Sequence, residues 1–270
     1  GVIRDELNLY LKNKGLFFGP ETSTSNRCTI SGMLGNNACG AHSLIYGSTR
    51  DHTISVKAIL SNGKDVEFGA LTREEFLEKT KLNNLEGSLY KNITEILSPP
   101  ENQEEIRLQY PDPRIKRRNT GYAIDLLLNS EPFNDTEKPF NFSTLIAGSE
   151  GTLAFITEIK LNLVPTPPKE TGLLCIHFKE LNEAFKGNLI ALKHNPGAIE
   201  LMDNTILKLT EKNIGLKENR FFLKGDPGAI LIVEFARETI ADVEHQMDIL
   251  ENEMKETGYG YHFPRIWSED

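Results

Sequence analysis

The chain has 270 residues, 39% of them hydrophobic and 26% charged, which is ordinary for a globular protein with one large or two medium domains. Its formal net charge of −9 argues against a nucleic-acid partner, because phosphate binding requires a basic surface. The sequence contains no apolar run close to the roughly 20 residues of a membrane-spanning helix.

The first part of the chain predicts a helix, an unusual glycine-rich segment and a hairpin. Residues 1–15 show an amphipathic helix pattern that ends at a glycine. Residues 16–52 are poor in both helix and strand formers. Residues 54–69 predict two strands joined by a short turn, because Asn62-Gly63 is a strong hairpin signal.

Residues 70–164 predict a mixture of helices and strands. Thr72 followed by Glu75 is typical of a capping box at the start of a helix. The other predicted elements are a helix over 86–97, an irregular loop from 104 that leads into a short helix with Ile124, Leu127 and Leu128, and strands over 143–148 and 153–164 flanking a sharp GSEGT corner.

The pattern changes after the proline-rich stretch PTPPKE at 165–170, which predicts a linker. Strands are predicted over 173–178, 197–202 and 229–236, and helices over 180–193, 203–212 and 238–257. This alternation indicates a second α+β layer with the helices on one face of a sheet. We therefore expect two domains, over 1–169 and 170–270.

The glycine-rich segment does not have the composition of a flexible linker. Linkers lack apolar anchors, whereas Ile30, Met33, Leu34, Leu44 and Ile45 are spaced through this segment. Such anchors would fix a loop whose bare N–H groups could approach an anion. The sequence contains no GxxxxGK[ST] loop and no GxGxxG after a strand, so the usual nucleotide motifs do not explain it.

Two motifs carry a family resemblance. TISGMLGNNACGAHSLIYGSTRDH, followed by SNGKDVEFG and later by LIAGSEGTLAFITEIKLNLVP, resembles the FAD-binding domain of the FAD-linked oxidases. This family includes D-lactate dehydrogenases, glycolate oxidase and D-2-hydroxyglutarate dehydrogenases. AIELMDNTIL is similar to the start of the family's cap domain, and RRNTGYAIDLL resembles large bacterial members with iron–sulfur modules.

The resemblance implies an α+β fold. The expected architecture is the second subdomain of a PCMH-type FAD-binding domain over 1–169, without its N-terminal subdomain, followed by part of an α+β, ferredoxin-like cap domain over 170–270. The chain begins without a methionine and stops at FPRIWSED without a capping signal, so we expect a fragment of a longer protein.

The resemblance also implies which residues contact FAD. Ser31 stands where the family usually has glycine, and Cys39 is interpreted as a small residue rather than a reactive thiol. The implied contacts are Pro20, Thr22, Ser23, Thr29, Ile30, Ser31, Gly32, Asn36, Asn37, Ala38, Gly40, Ser43, Tyr46, Gly47, Glu150, Gly151, Thr152, Leu153 and Ile156.

The resemblance also implies a second group of residues, near the substrate. An arginine there suits an acidic substrate, because arginine can bind a carboxylate with two hydrogen bonds. A solvated basic loop is the alternative interpretation. The residues are Arg117, Arg118, Asn119 and Tyr122. Arg50 and Asp51 match the family's R-D pair, for which we expect a structural ion pair.

The resemblance implies hydride transfer from a D-2-hydroxy acid, of the lactate, glycolate or 2-hydroxyglutarate type, to FAD. An iron–sulfur module of the same polypeptide is one candidate electron acceptor. No catalytic base can be named, and the six histidines show no spacing suited to a shared metal, so no metal site is expected. The alternatives are a UDP-N-acetylenolpyruvoylglucosamine reductase-like flavoenzyme and a structural module without activity in isolation.

The cysteine pattern bears on the cellular compartment. Cys28, Cys39 and Cys175 form no CxxC pair and cannot all be joined in disulfides, which favours a reducing environment. We expect a cytoplasmic protein without a signal peptide, and peripheral attachment to a membrane stays open.

Overall fold

A computed structural model of the chain describes residues 1–115, 117–118 and 121–267. The chain divides into two units, Gly1–Thr166 and Pro167–Asp270. The division falls within the proline-rich stretch, just before the expected domain boundary at residue 169.

The first unit combines short helices with a small antiparallel sheet. Its helices are α1 (Arg4–Lys12), α2 (Ile30–Asn36), α3 (Ser43–Tyr46), α4 (Arg73–Thr80), α5 (Leu85–Leu97), α6 (Pro100–Gln109), α7 (Ile124–Leu128) and α8 (Ser143–Ile146). Its strands are β1 (Leu16–Phe17), β2 (Thr53–Ile59), β3 (Asp65–Phe68), β4 (Phe155–Leu161) and β5 (Val164–Pro165).

The sheet of the first unit has the strand order β3-β2-β4, with both pairs antiparallel, and β1 pairs separately with β5. The hairpin prediction is confirmed, because β2 pairs with β3 and Gly63 turns the chain at a φ of +76°. Edge-to-face aromatic contacts fill the core beside this sheet, where Phe76, Tyr90, Phe140 and Phe142 are buried.

The helix predictions in the first unit have mixed outcomes. The capping box is confirmed, because Thr72 Oγ1 accepts from Glu75 N and Glu75 Oε2 accepts from Thr72 N. The helix predicted over 86–97 is confirmed as α5. The loop predicted from residue 104 is wrong over 104–109, which belong to α6. Pro100 is the first residue of that helix, where its missing N–H is no disadvantage.

Two further corrections concern segments near the predicted site. The strand predicted over 143–148 is helix α8. A short apolar run does not distinguish strand from helix, and here Asn141 Oδ1 accepts from Ser143 N at the helix start. The glycine-rich segment, predicted to be poor in helix, contains α2 and α3.

The second unit follows the predicted alternation of strands and helices. Its elements are β6 (Glu170–Phe178), α9 (Leu181–Ala191), β7 (Ala198–Asp203), α10 (Asn204–Glu211), β8 (Ala229–Arg237), α11 (Ile240–Thr257) and β9 (Arg265–Trp267). The six predicted elements are confirmed, and β9 was not predicted. The strands form one antiparallel sheet in the order β7-β8-β6-β9.

Successive residues of a strand point to opposite faces of a sheet, and β6 shows this clearly. Leu174, Ile176 and Phe178 pack in a core with residues of α9 and α11. Cys175 packs on the opposite face with Leu207 of α10. The prediction that the helices share one face is therefore wrong for α10. Among the described helices, none is both long and apolar enough to cross a membrane.

His177 lies on the same face of β6 as Cys175 and is fully buried. Its ring centroid is 5.0 Å from that of His262 and 5.9 Å from that of Tyr261, and its Nδ1 lies 3.3 Å from Cys175 O. Burial disfavours the charged imidazolium, so the pKa of His177 lies below its ordinary value.

This burial predicts a pH dependence of the stability of the second unit. The folded-state pKa of His177 is depressed, so its contribution is fully present above an unfolded-state pKa of about 6.5 and is lost as the pH falls below that value. One proton gives a slope of at most about 1.4 kcal/mol per pH unit. Urea unfolding followed by the fluorescence of Trp267, the chain's one tryptophan, measures the slope.

The variant His177→Leu should flatten the slope without abolishing it, because burial also lowers the pKa of His262. The control is His245→Leu, since His245 is exposed on α11. Equal slopes in the wild type and in His177→Leu would contradict the assignment.

Candidate functional site

The first corner of the candidate site, residues 29–47, is built around helix α2. Thr29 begins it as the N-cap, its Oγ1 accepting from Gly32 N at 3.1 Å. The TISG segment at residues 29–32 is therefore the N-cap and the first turn of a helix. Asn37 ends the helix in the left-handed region, with a φ of +52°.

The second corner, residues 148–156, is bonded directly to the end of α2. Gly148 N donates to Leu34 O and Glu150 N donates to Gly35 O, each at 2.9 Å. Asn36 Nδ2 also donates to Glu150 Oε1 at 3.0 Å. The two motifs, which are far apart in sequence, therefore form one continuous main-chain surface.

The glycines of the second corner have different surroundings. Gly148 and Gly151 both adopt positive φ values, +91° and +73°. A Cβ on Gly148 would lie 2.7 Å from Arg50 Nη2 and 2.9 Å from Gly121 O, whereas a Cβ on Gly151 would meet no atom within 4 Å. Gly148 is thus required by packing, and Gly151 faces open space.

The guanidinium of Arg50, which is buried, holds several segments of the first unit. Its Nε donates to Thr144 O at 2.9 Å, and its Nη2 donates to Gly121 O at 2.8 Å and to Ala147 O at 2.5 Å. Burial, with the like charge of Arg118, lowers the pKa of Arg50.

The local ion pair expected between Arg50 and Asp51 is not what organises this segment. The hydrogen bonds of the guanidinium go to backbone carbonyls from distant segments, and the Asp51 carboxylate accepts from Ser48 N at 2.7 Å and from Ser48 Oγ at 2.9 Å. A buried guanidinium needs several acceptors, and carbonyls at the ends of turns supply them.

The region expected near the substrate offers fewer free groups than its sequence suggests. Arg118 Nη2 donates to Asp125 Oδ1 at 2.6 Å, and Arg118 Nη1 bonds the other carboxylate oxygen of Asp125. This hydrogen bonding raises the pKa of Arg118. Arg117 is exposed and makes no hydrogen bond or ion pair with other described residues. Asn119 lies outside the described residues.

Tyr122 connects the substrate region to the second corner. Its Oη lies 2.6 Å from Thr152 Oγ1, and its carbonyl accepts from Tyr110 Oη at 2.8 Å. The hydroxyl of Thr152 in turn donates to Ser149 O at 2.5 Å. The structure thus brings a residue predicted to face the substrate against one predicted to face the cofactor.

The remaining predicted contacts separate by exposure. Pro20, Ile30, Asn37 and Ala38 are buried. The half-buried residues are Thr22, Thr29, Gly40, Ser43, Tyr46, Gly47 and Ile156. The exposed residues are Ser23, Ser31, Gly32, Asn36, Glu150, Gly151, Thr152 and Leu153.

Several predicted contact residues have local structural partners. Asn37 Oδ1 accepts from Arg50 N at 2.8 Å. Thr22 Oγ1 lies 3.0 Å from Thr24 Oγ1 and donates to Cys28 Sγ at 3.4 Å. The ring of Tyr46 packs where a side chain on Gly19 would stand, since a Cβ there would lie 2.7 Å from the ring. The side chains of these residues therefore bond to or pack against other parts of the protein.

Glu21 and His42 form a pair beside the first corner. His42 N donates to Glu21 Oε1 at 3.0 Å, and His42 Nδ1 contacts the same oxygen. Burial opposes ionisation of Glu21, but the hydrogen bonds and charge of His42 outweigh it, so the pKa of Glu21 lies below its ordinary value. Glu21 also explains Gly40, because a Cβ there would lie 2.4 Å from Glu21 Cγ.

A groove of about 290 Å³ lies where predicted residues of both motifs meet. Ile30 and Ser31 of the first corner and Ile156 of the second line it, together with residues of β4 and of the chain start. This volume is at the lower limit of cofactor and ligand pockets, about 300 to 1,000 Å³. Within the described residues, no cluster of three or more His, Cys, Asp or Glu could hold a metal.

Residues 1–69 match the family described as FAD binding domain. D-2-hydroxyglutarate dehydrogenase of Haemophilus influenzae is 33% identical over 254 residues, which cover 93% of this chain and 24% of that protein. Glycolate oxidase subunit GlcD of Bacillus subtilis is 25% identical over 213 residues, which cover 78% of this chain and 32% of that subunit.

The chain is homologous to the FAD-linked oxidases, as its motifs predicted. It spans 24% of the length of the D-2-hydroxyglutarate dehydrogenase of Haemophilus influenzae. A solved structure of alkyldihydroxyacetonephosphate synthase superposes with a TM-score of 0.54 at 16% identity, covering 97% of this chain and 38% of that structure, which shows a likeness of fold.

The open space at Gly151 and the polar groups near it fit a cofactor such as FAD. Gly151 leaves open space at a positive φ, as a backbone that approaches a ligand closely requires. The exposed polar groups of Ser31, Asn36 and Thr152 lie on the same two corners. Dinucleotides are commonly bound by such backbone and hydroxyl groups.

The sequence did not predict the structural partners of Arg50, Asp125 and Glu21. Arg50 and Asp125 each had a usable signal, because each is a charged residue inside a nearly uncharged or apolar run. Charged residues in such runs are buried with a partner more often than they are left alone. Glu21 has no comparable signal.

The surroundings of Gly148 predict a large stability effect. Gly148→Ala should destabilise the first unit by about 1 to 3 kcal/mol more than Gly63→Ala, because both place alanine at positive φ but only Gly148 also creates overlap. A Cβ on Gly63, in the β2–β3 turn, meets no atom within 4 Å. Urea unfolding followed by circular dichroism measures the free energy of unfolding of both variants. Equal losses would show that packing around Gly148 does not exclude a side chain.

Proposed function

We propose that this chain is part of an FAD-dependent oxidoreductase that oxidises a D-2-hydroxy acid. The observation that carries the proposal is the pair of backbone hydrogen bonds that join the two corners, Gly148 to Leu34 and Glu150 to Gly35. They make one continuous main-chain surface from the two motifs that resemble those of the FAD-linked oxidases. The names of the relatives, which include D-2-hydroxyglutarate dehydrogenase, support the substrate class.

The proposal includes a finer assignment of the fold. The first unit is the second subdomain of a PCMH-type FAD-binding domain, which is supported by the match of residues 1–69. The second unit is the start of a ferredoxin-like cap domain. Its four-stranded antiparallel sheet, with α9 and α11 packed on one face, supports this assignment.

The exposed residues of the two corners would hold the cofactor. Ser31, Asn36 and Thr152 offer hydroxyl and amide groups, and Gly151 allows the cofactor to approach the main chain. The buried residues behind them, including Asn37 and Ala38, would fix the shape of this surface rather than contact the cofactor. When bound, the flavin supplies the hydride acceptor.

The substrate side is proposed to lie at Arg117, Arg118 and Tyr122. An acid substrate needs a cation, and the guanidinium of Arg118 is already bound by Asp125. Arg117 is exposed and is therefore the stronger candidate for the substrate carboxylate. Tyr122, at 2.6 Å from Thr152, would position this region beside the cofactor.

The proposal is tested on the complete gene product that contains this sequence. We expect the purified protein to bind FAD and to show flavin absorbance, and anaerobic addition of a D-2-hydroxy acid should bleach that absorbance by reducing the flavin. The L enantiomer is the control and should leave the spectrum unchanged. A protein that binds no FAD would overturn the proposal, and one that binds FAD but is reduced by no hydroxy acid would overturn the substrate class.

The role of Gly151 gives a sharper test of where FAD lies. Gly151→Ala should weaken FAD binding by at least about tenfold, which corresponds to about 1.4 kcal/mol, because the methyl group enters the open space before the second corner. Fluorescence titration with FAD measures the affinity.

The matched control for Gly151→Ala is Gly63→Ala. Both glycines have a positive φ, +73° and +76°, and neither Cβ would meet an atom within 4 Å, so the two variants should lose similar stability. Gly63→Ala should retain wild-type FAD affinity. Unchanged affinity in Gly151→Ala would place the cofactor elsewhere.

A further inference from the structure

The side chain of Arg50 bonds to segments that lie far from it in sequence. It lies three residues after the first corner, and its side chain reaches the carbonyls of Gly121, Thr144 and Ala147. One nitrogen, Nη2, bonds both Gly121 O and Ala147 O. Gly121 precedes Tyr122 of the proposed substrate side, and Ala147 precedes Gly148 of the second corner. A single guanidinium therefore joins both sides of the proposed site.

We infer that Arg50 is a positioning residue that fixes the second corner and the Tyr122 segment against the first corner, and so couples cofactor binding to the substrate side. The names of the two sides rest on the proposed function. We call the three side-chain hydrogen bonds of Arg50 to Gly121, Thr144 and Ala147 the clamp. It does not depend on the proposed function, and the backbone N–H of Arg50 adds a bond to Asn37 Oδ1 at 2.8 Å.

The clamp requires an arginine because of its geometry. The planar guanidinium carries donors on three nitrogens and can bond three carbonyls from different segments at once, whereas lysine presents one point charge on a flexible stem. The close fit around Arg50 agrees with this. A Cβ on Gly148 would lie 2.7 Å from Nη2, so the second corner approaches the guanidinium as closely as a glycine permits.

A second connection closes the loop between the two sides. Tyr122 Oη lies 2.6 Å from Thr152 Oγ1, and Tyr110 Oη donates to Tyr122 O. The Tyr122 segment is thus held to the second corner twice, through Arg50 at Gly121 and through its own hydroxyl at Thr152. Groups that share such a network have non-additive effects when they are changed separately and together.

The first experiment does not depend on FAD. In the 270-residue chain, Arg50→Lys should speed hydrogen exchange of the Gly148 and Glu150 amides by at least about tenfold, because their bonds to Leu34 O and Gly35 O then lose their support. The control is Arg220→Lys. Arg220 bonds Leu207 O and Thr210 Oγ1 in the second unit. Its replacement should therefore leave the exchange rates of the Gly148 and Glu150 amides unchanged.

The second experiment measures the coupling in the complete gene product. Arg50→Lys and Tyr122→Phe should each weaken FAD binding and raise the KM for the hydroxy acid, and the double variant should lose at least about threefold less FAD affinity than the product of the single effects. If Arg50 and Tyr122 instead act independently of each other, their effects on FAD affinity should be multiplicative.

The outcomes separate the inference from the proposed function. Unchanged exchange at Gly148 and Glu150 in Arg50→Lys overturns the clamp, and multiplicative effects on FAD affinity overturn the coupling. If the wild-type gene product binds no FAD, the proposed function fails, and the exchange experiment alone decides whether Arg50 positions the second corner.

Discussion

The candidate site depends on how the end of helix α2 satisfies its carbonyl groups. The last carbonyls of a helix have no partner within the helix, and buried carbonyls must find one elsewhere. In α2, Leu34 O and Gly35 O accept from Gly148 N and Glu150 N, at 2.9 Å each. Asn37 stops the helix in a left-handed conformation, and its side chain accepts from Arg50 N. The helix end thus sets the position of a segment that lies far away in sequence.

This constraint explains the backbone of the second corner. To present both N–H groups to α2, the chain adopts positive φ values at Gly148, Glu150 and Gly151. Glycine does so freely, but a residue with a Cβ pays about 1 to 2 kcal/mol. Glu150 accepts this cost and gains a hydrogen bond from Asn36 at 3.0 Å. Because both partners are exposed, that bond offsets only part of the strain, and the main-chain bonds to α2 must supply the remainder.

The sequence predicted the second unit better than the first, for a physical reason. In the second unit, strands and helices alternate with clear periodicity, and each element is long enough to show it. In the first unit, α6 was missed because the segment from residue 104 was predicted as an irregular loop, and α8 was missed because a short apolar run does not distinguish helix from strand. Local periodicity also does not say which face of a sheet a helix covers, so the position of α10 could not be predicted.

The site itself shows the same limit at the level of single residues. The match to the family's R-D pair suggested an ion pair between Arg50 and Asp51, yet a buried guanidinium needs several acceptors, and distant carbonyls provide them. Gly148 and Gly151 lie in one short GSEG sequence and share the sign of φ. Their surroundings are opposite, since one is enclosed by Arg50 and Gly121 and the other faces open space. A motif can predict that a corner needs glycine, but three-dimensional packing is needed to tell a glycine that is enclosed by its neighbours from one that faces open space.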